Sequence, residues 1–331
     1  MKITYNDTKF VTRKCRCVME KKLLMIINPC SGRDKRNDDL ADALEVFSAH
    51  GYRVTVMNTT KSGDATEYAK KYGEDYDVVV CRGGDGTFCE MMNGIMALEN
   101  KPEIGFVPAG TTNDLASTIG LPAKGEKAAQ LIVQETPRPC DLGNFNNRYF
   151  TYVASFGAFT KCSYATSQSL KNKIGRTAYF YMAAKEVKDI KPVPMKCVVD
   201  GVEFEGNFIF GSISNSYTVG KIIHLSEDTV CLNDGKFEVL FAEMPDSIKG
   251  WAGLAECILK KNLEHKNIRF LQGSHIEIET LDGSKIPWTV DGEFAGDVSK
   301  VTLDVHRHAF GMYRPPLLHE MESADEYRVE K

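Results

Sequence analysis

Apolar runs and amphipathic stretches alternate through the first third of the chain. Residues 23–27 are continuously apolar, which is typical of a strand buried on both faces of a parallel sheet. Residues 38–50 carry apolar side chains at helical spacing, and Gly51 follows them as a residue that commonly ends a helix. The alternation continues with strands at 52–57, 76–81 and 104–108 and helices at 65–72 and 87–99. This order predicts an α/β domain with a doubly wound, mostly parallel sheet.

The pattern changes near residue 136. Short stretches of alternating apolar and polar residues follow, and Asp-Gly pairs at Asp200 and Asp282 are typical of hairpin turns. The predicted strands are 149–154, 195–200, 203–214, 236–241, 275–280, 288–290 and 300–305, with helices at 170–188 and 247–260. We therefore expect an N-terminal extension over 1–21, an α/β domain over 22–136 and a β-rich sandwich or partial barrel over 137–305. The segment 306–331 is expected to pack back on the α/β domain.

Composition and charge narrow the class of protein. The 331 residues are 43% hydrophobic and 26% charged, as in an ordinary globular protein. A formal net charge of −4 argues against a dedicated nucleic-acid binder, which is basic as a rule. No apolar run approaches the roughly 20 residues of a transmembrane helix, and the first residues lack a signal-peptide core. A cytoplasmic protein is expected.

The ten cysteines do not have the spacing of a zinc site or a disulfide framework. There is no C-x-x-C pair, and the seven histidines do not cluster with the cysteines. We expect reduced thiols that pack as small apolar residues. His306 and His308 lie two residues apart and are predicted to have surface or supporting roles rather than to bind metal.

A glycine-rich turn directly follows the third predicted strand. Its residues are Gly83, Gly84, Asp85, Gly86 and Thr87. Glycines let a ligand approach the backbone, and a helix that begins there presents unpaired N–H groups, so the turn is suited to phosphate. Asp85 adds negative charge to such a site, which a divalent cation or a charged hydrogen-bond network would offset.

Three more turns of small polar residues follow other strands of the same sheet, at 28–33, 59–65 and 110–114. Each alone has an ordinary structural interpretation; Asp64, for example, can simply cap the helix after it. However, the C-terminal ends of parallel strands lie at one edge of the sheet, where ligands bind. Four such turns at this edge predict a nucleotide site.

The spaced motifs Asn28-Pro29…Ser31-Gly32, Gly83–Thr87 and Gly110-Thr111-Thr112-Asn113-Asp114 resemble the catalytic domain of diacylglycerol, sphingosine and ceramide kinases. Over about 22–315 the chain most resembles the soluble bacterial branch of diacylglycerol kinase-like lipid kinases. The glycine turn alone is shared with NAD kinases and phosphofructokinases. The turn at 110–114 and the later Asp291-Gly292-Glu293 narrow the resemblance to lipid kinases, with an NAD kinase/diacylglycerol kinase-like first domain.

The resemblance implies a site for ATP and Mg²⁺. It gives Glu293 the role of general base, with Asp291 as its partner or alternative; without the resemblance, Asp291-Gly292 would be interpreted as a hairpin turn. The residues implied to bind ATP are Asn28, Pro29, Cys30, Ser31, Gly32, Arg33, Thr59, Gly83, Gly84, Asp85, Gly86, Thr87, Glu90, Thr111 and Asn113.

A second Mg²⁺ site is implied in the loop before the strand at 236–241. The resemblance assigns its ligands as the Asp234 carboxylate and the backbone carbonyls of Cys231 and Lys236. Asn233 stands where a second acid is common in relatives, and a plain Asn-Asp-Gly turn is the alternative. Oxygen ligation with retained water suits Mg²⁺. Asp85 is a further candidate to assist Mg²⁺ bound to ATP.

The implied substrate is a lipid with a free hydroxyl, with diacylglycerol as the leading acceptor. The alternatives are phosphatidylglycerol, a sphingoid base or NAD as acceptor, or a nucleotide sensor without turnover. Basic residues over 171–191 form either a solvated helix face or a patch for anionic lipid. We expect peripheral association with the inner face of the membrane, while a homodimer stays open. The apolar stripe at 247–260 is expected to face the core.

Overall fold

The structure is a computed structural model that describes residues 20–31, 37–110, 113–157, 190–219, 223–225, 230–260 and 263–317. Most of the predicted N-terminal extension, the predicted helix at 170–188 with its basic residues, and the candidate ligands Gly32, Arg33 and Thr111 lie outside the described residues. No described helix is long and apolar enough to cross a membrane.

The described helices are α1 Asn37–Ala49, α2 Asp64–Tyr72, α3 Asp85–Ile95, α4 Asp114–Thr118, α5 Gly125–Gln134 and α6 Ile248–Lys260, with a short 3₁₀ turn at Gly73–Asp75. The strands are β1 Lys21–Ile27, β2 Tyr52–Asn58, β3 Val78–Gly83, β4 Glu103–Pro108, β5 Pro137–Phe145, β6 Arg148–Phe150, β7 Val153–Gly157, β8 Val193–Val199, β9 Val202–Ser214, β10 Thr218–Val219, β11 Ile223–His224, β12 Phe237–Glu243, β13 Ile268–Gly273, β14 His275–Thr280, β15 Ile286–Val290, β16 Glu293–Val298 and β17 Lys300–Tyr313.

The first domain is built on the parallel strands β4-β3-β1-β2, in that order. Alternate residues of β1 enter different cores, because successive side chains in a strand point to opposite faces. Leu24 and Ile26 pack in the core that includes α2 and α3, whereas Leu23 and Met25 pack in the core that includes α1 and α5. The predicted doubly wound α/β sheet is confirmed.

The second domain consists of antiparallel strands around an aromatic core. Phe150, Phe156, Phe208, Phe237 and Trp288 are at most 1% exposed and lie in one cluster. The rings of Phe156 and Trp288 are tilted against each other, with centroids 4.9 Å apart, a favourable arrangement for aromatic pairs. The predicted β-rich second domain is confirmed.

Strand β17 connects the two domains into one continuous sheet. It pairs antiparallel with β14 and β5 along most of its length, and near its end Met312 pairs in parallel with Ile104 of β4. The end of β17 therefore lies in the first-domain sheet, on the far side of β4 from β3. This pairing holds the turns of the first domain at a defined position relative to the second.

Two differences from the predicted elements bear on the site. The single strand predicted over 149–154 is interrupted by a bend at Thr151 and Tyr152, which separates β6 from β7. Strand β5 was not predicted, since Pro137 and Pro139 argue against a strand interior. Its Pro139 lies opposite Gly311 of β17, and the other edge of β5 pairs with β6 over three residues only.

Candidate active site

Two of the predicted turns are in direct backbone contact. Strand β3 ends at Gly83, whose carbonyl oxygen accepts hydrogen bonds from Ala109 N at 2.7 Å and Gly110 N at 3.1 Å. A Cβ placed on Gly110 would lie 2.6 Å from Gly84 Cα, closer than real Cβ contacts allow. Side chains at these glycines would therefore separate the two turns, and their absence leaves bare backbone where α3 begins.

The turn after β1 joins the same edge. Asn28 Nδ2 donates to Thr87 Oγ1 at 3.0 Å, and Asn28 Oδ1 accepts from Cys30 N at 3.0 Å. Thr59 follows β2, is buried, and donates its N–H to Ile27 O at 2.8 Å. Pro29, Cys30 and Ser31 remain exposed or half-buried in the described part of the first turn.

Two acids support the turn before α2. Both carboxylate oxygens of Glu90 are bonded, to Ser62 Oγ at 2.7 Å and Gly63 N at 2.9 Å. Asp64 Oδ2 accepts from Thr60 N and Lys61 N at 2.7 and 3.0 Å. Asp64 therefore does not cap α2, whose N-cap is Gly63, but closes the loop in front of it. Both oxygens of Glu90 are engaged by this turn, and its binding to ATP stays a prediction.

Asp85 lies beneath the glycine turn and is 8% exposed. Its oxygens accept hydrogen bonds from Asp114 N at 2.9 Å and Leu115 N at 3.3 Å. Burial raises the pKa of Asp85 to about 6; these two N–H donors oppose the shift, and the charges of Asp114 and Asp291 add to it. A hydrogen-bond network thus accounts for the acid in this turn, which it fastens to the start of α4.

Asp291 is 4% exposed and has φ 47°. Its carboxylate accepts four hydrogen bonds, from Thr151 N at 2.7 Å, Thr151 Oγ1 at 2.9 Å, Tyr152 N at 3.0 Å and Val153 N at 3.0 Å. These donors are the backbone of the bend between β6 and β7 and one adjacent hydroxyl. Asp291 is therefore an anchor for this bend, and its role as partner of Glu293 or alternative base stays a prediction.

Glu293 has a different environment two residues later. Its side chain is 52% exposed, and Oε2 lies 3.0 Å from Arg148 Nη2. A Cβ placed on Gly86 would lie 2.8 Å from Glu293 Oε1. The carboxylate of Glu293 thus lies over the first turn of α3, beside the glycine turn, and only a residue without a side chain fits at position 86 without displacing it.

Asn93 and Arg148 connect α3 and Glu293 through strand β6. Asn93 of α3 binds both backbone groups of Tyr149, with Nδ2 donating to Tyr149 O at 3.0 Å and Oδ1 accepting from Tyr149 N at 3.0 Å. Strand β6 carries Arg148 and leads into the bend held by Asp291. The role of Arg148 was not predicted; the local signal that could have indicated it is the two-residue turn Asn146-Asn147 directly before it.

Hydrogen bonds within the protein hold the loop at 231–236, which is predicted to bind Mg²⁺. Asp234 Oδ1 accepts from Lys236 N at 2.8 Å. Asp141, which sequence reasoning missed, accepts from Gly235 N at 2.6 Å and His308 N at 2.7 Å, and burial raises its pKa. Among the described residues, no three His, Cys, Asp or Glu side chains are gathered as metal ligands.

Comparisons with known proteins agree with this architecture. The family described as "Diacylglycerol kinase catalytic domain" matches residues 22–145, and the one described as "YegS C-terminal NAD kinase beta sandwich-like domain" matches 154–311. The chain is 29% identical over 290 residues to the diacylglycerol kinase of Bacillus subtilis strain 168, covering 87% of this chain and 95% of the relative. It is 30% identical over 291 residues to that of Staphylococcus aureus strain bovine RF122 / ET3-1, covering 88% and 91%.

A crystal structure of a Bacillus anthracis str. Sterne protein assigned to the diacylglycerol kinases superposes with a TM-score of 0.75 at 26% identity, covering 89% of this chain and 97% of that one. A two-domain kinase is therefore the class that the fold defines. The chain belongs to the diacylglycerol kinase family, in its soluble bacterial branch.

Proposed function

We propose that this protein transfers the γ-phosphoryl group of ATP to the hydroxyl group of a lipid, with diacylglycerol as the leading acceptor. The observation that carries the proposal is the position of Glu293 Oε1, 2.8 Å from a Cβ placed on Gly86 at the start of α3. It brings a solvent-exposed carboxylate of the second domain to the glycine turn of the first. The choice of acceptor is supported by the relatives, which are named diacylglycerol kinases.

The glycine turn and the start of α3 would bind the phosphates of ATP. The bare backbone at Gly84 and Gly110 permits close approach, and the N-terminus of an 11-residue helix favours negative charge. Asn28 and Thr87 would add polar side chains from the neighbouring turn. Mg²⁺ bound with the nucleotide would neutralise phosphate charge. Asp85 would support the turn from beneath, since both its oxygens already hold backbone N–H groups.

Glu293 would act as the general base. Its Oε2 is held by Arg148, which leaves Oε1 facing the glycine turn. In the transfer step, the lipid O–H bond breaks and its proton goes to Glu293 as the oxygen bonds to the γ-phosphorus. The bond between that phosphorus and the bridging oxygen breaks, and the electron pair leaves with ADP. Little covalent chemistry is required of the protein beyond this positioning.

The test is transfer of label from γ-labelled ATP in the presence of Mg²⁺. The acceptors are micellar diacylglycerol, phosphatidylglycerol and a sphingoid base, with NAD in solution. Label in diacylglycerol is the expected result. Label in NAD and in no lipid would overturn the lipid kinase proposal, and ATP binding without any transfer would favour the nucleotide sensor. Co-sedimentation with anionic vesicles tests the peripheral membrane association that this function requires.

We further propose that Asp234 binds a structural Mg²⁺ together with the carbonyls of Cys231 and Lys236. Asp234 Oδ1 accepts from Lys236 N, so Oδ2 is the oxygen that would face the ion, and a single carboxylate with retained waters suits Mg²⁺. Thermal unfolding with and without Mg²⁺ tests this. The stabilisation by Mg²⁺ should be lost in Asp234→Asn and kept in the exposed control Asp297→Asn; equal stabilisation in both would exclude the site.

A further inference from the structure

Tyr152 lies where the two halves of the candidate site meet. It is in the bend between β6 and β7, and its N–H donates to Asp291 Oδ1 at 3.0 Å. Its side chain is 6% exposed and packs in the core cluster that also contains Phe88 of α3. The hydroxyl reaches the turn Asp291-Gly292-Glu293, called the acidic turn below, because a Cβ placed on Gly292 would lie 3.5 Å from Tyr152 Oη. Gly292 immediately precedes Glu293.

The Tyr152 hydroxyl makes no hydrogen bond to any described residue. This contrasts with the groups around it: the Thr151 hydroxyl is bonded to Asp291, and Asn93 is bonded to Tyr149 through both amide atoms. Tyr152 as a residue is 6% exposed, but its Oη is not among the fully buried polar atoms that lack a partner. The hydroxyl is therefore accessible, and its donor is available to a ligand.

The charges near Tyr152 indicate what kind of group could bind there. Burial, followed by the charges of Asp291, Asp85 and Asp114, raises the pKa of Tyr152 well above its usual value. The phenol therefore remains an O–H donor at neutral pH. Three neighbouring carboxylates disfavour an anion at this point, so the matching guest is a neutral oxygen rather than a phosphoryl group.

We propose that the Tyr152 hydroxyl donates a hydrogen bond to the oxygen of the lipid's reacting hydroxyl while Glu293 accepts that hydroxyl's proton. The inference rests on the proposed lipid kinase function and adds the residue that orients the acceptor. A hydroxyl held by one donor and one acceptor has a fixed orientation, with a remaining lone pair available to attack phosphorus. During transfer Tyr152 keeps its own proton, so the proton and electron balance of the reaction is unchanged.

The test is Tyr152→Phe, which keeps the ring and the backbone N–H to Asp291. With dioctanoylglycerol in detergent micelles, we expect its KM to rise about 5-fold, as for the loss of one hydrogen bond. The KM for ATP and the rate of ATP hydrolysis without lipid should not change, and the melting temperature should be equal or higher. The matched control is Tyr76→Phe, a partly buried tyrosine packed on the same cluster just before β3, which should leave all four values unchanged.

A deoxy analogue separates this contact from a general effect on packing. The dioctanoyl ester of propanediol lacks the free hydroxyl, so it should inhibit the wild type and Tyr152→Phe with the same Ki. Three results for Tyr152→Phe would each overturn the inference. The KM for dioctanoylglycerol could be unchanged, the Ki of the deoxy analogue could rise in parallel with that KM, or the rate of ATP hydrolysis without lipid could fall about 5-fold as well. A wild-type protein that phosphorylates no lipid would instead refute the proposed function itself.

Discussion

The glycine turn of the first domain and the acidic turn of the second meet at one site, but their carboxylates have different roles. In the first domain, the carboxylate oxygens of Asp85 and Glu90 accept hydrogen bonds from backbone N–H and hydroxyl groups. In the second, Asp291 does the same, whereas Glu293 is half exposed and pairs with Arg148 through one oxygen. Of these four acids, Glu293 is the one that retains an oxygen facing the glycine turn.

This comparison shows why acidic residues in the motifs are not equivalent ligands. A carboxylate that accepts several hydrogen bonds is a good anchor for a turn, but it has little remaining capacity to accept a substrate proton. The acids of the first domain shape the backbone that would receive phosphate. The acidic turn divides the two tasks between residues two positions apart.

The largest expected effect is on catalysis. Glu293→Gln should lower turnover by about 10²-fold or more, because the amide cannot accept the hydroxyl proton. Nucleotide binding, measured by calorimetry, should remain near the wild-type value, since glutamine has the same size and the polar partner of Glu293 is Arg148 rather than the glycine turn. Asp297→Asn, an exposed acid on the same strand β16, is the control and should be fully active. Wild-type turnover in Glu293→Gln would exclude it as the base.

Asp291→Asn should lower the stability of the protein. In the wild type both carboxylate oxygens accept hydrogen bonds from N–H groups, whereas the amide of the variant has one oxygen and an NH₂ group, so at least one N–H loses its acceptor. We expect the free energy of unfolding to fall by about 2 kcal/mol, measured by urea denaturation. Turnover per folded molecule should fall less than in Glu293→Gln. The opposite ranking would show that Asp291, rather than Glu293, carries the chemistry.

Gly86→Ala tests the contact between the two turns. The new methyl group would displace Glu293 Oε1, which lies 2.8 Å from its position, while alanine is the better residue within a helix. We expect turnover to fall about 10-fold, close to 1.4 kcal/mol, with no loss in melting temperature. In the Glu293→Gln background the same change should have almost no effect on turnover. A full 10-fold loss there would mean that Gly86 acts independently of Glu293.

Much of the architecture was predictable from local pattern. The continuous apolar run of β1 and the glycine turn after β3 give the parallel sheet and the edge that carries the site, because strand burial and turn chemistry are local properties. The proximity of Glu293 to this edge was implied only by resemblance to a family. In the structure, Glu293 Oε1 lies 2.8 Å from the position that a Cβ on Gly86 would occupy.

The contacts across the two domains were not predictable in this way. Asp291 bonds to a bend about 140 residues earlier, and Asn93 bonds to Tyr149, 56 residues later. No local pattern encodes such pairs. Glu90 was implied at ATP by the family resemblance, and that role stays a prediction. Its contacts with Ser62 and Gly63 arise from the packing of α2 on α3, which local sequence order did not predict.

The smallest expected effect is a pH dependence that differs between two turns of the first domain. The pKa of Asp85 is raised to about 6, mainly by burial, so the folded state binds the proton more tightly than the unfolded chain does. Its contribution to stability therefore falls as pH rises, by about 1 kcal/mol between pH 5 and pH 7. The pKa of Asp64 is shifted in the opposite direction. It is lowered below 3.8 by hydrogen bonds from the Thr60 N–H, the Thr60 hydroxyl and the Lys61 N–H, so the contribution of Asp64 to stability is lost only as pH falls below that value.

Urea denaturation of Asp85→Asn and Asp64→Asn over this pH range separates the two cases. From pH 5 to pH 7, the unfolding free energy of the wild type should fall relative to that of Asp85→Asn. The difference between the wild type and Asp64→Asn should be constant over this range and change only at lower pH. If both differences are constant between pH 5 and pH 7, Asp85 is ionised throughout that range, and its two backbone donors outweigh its burial. The carboxylate under the glycine turn would then be a permanent charge beneath the phosphates, which would strengthen the case for a cation at this turn.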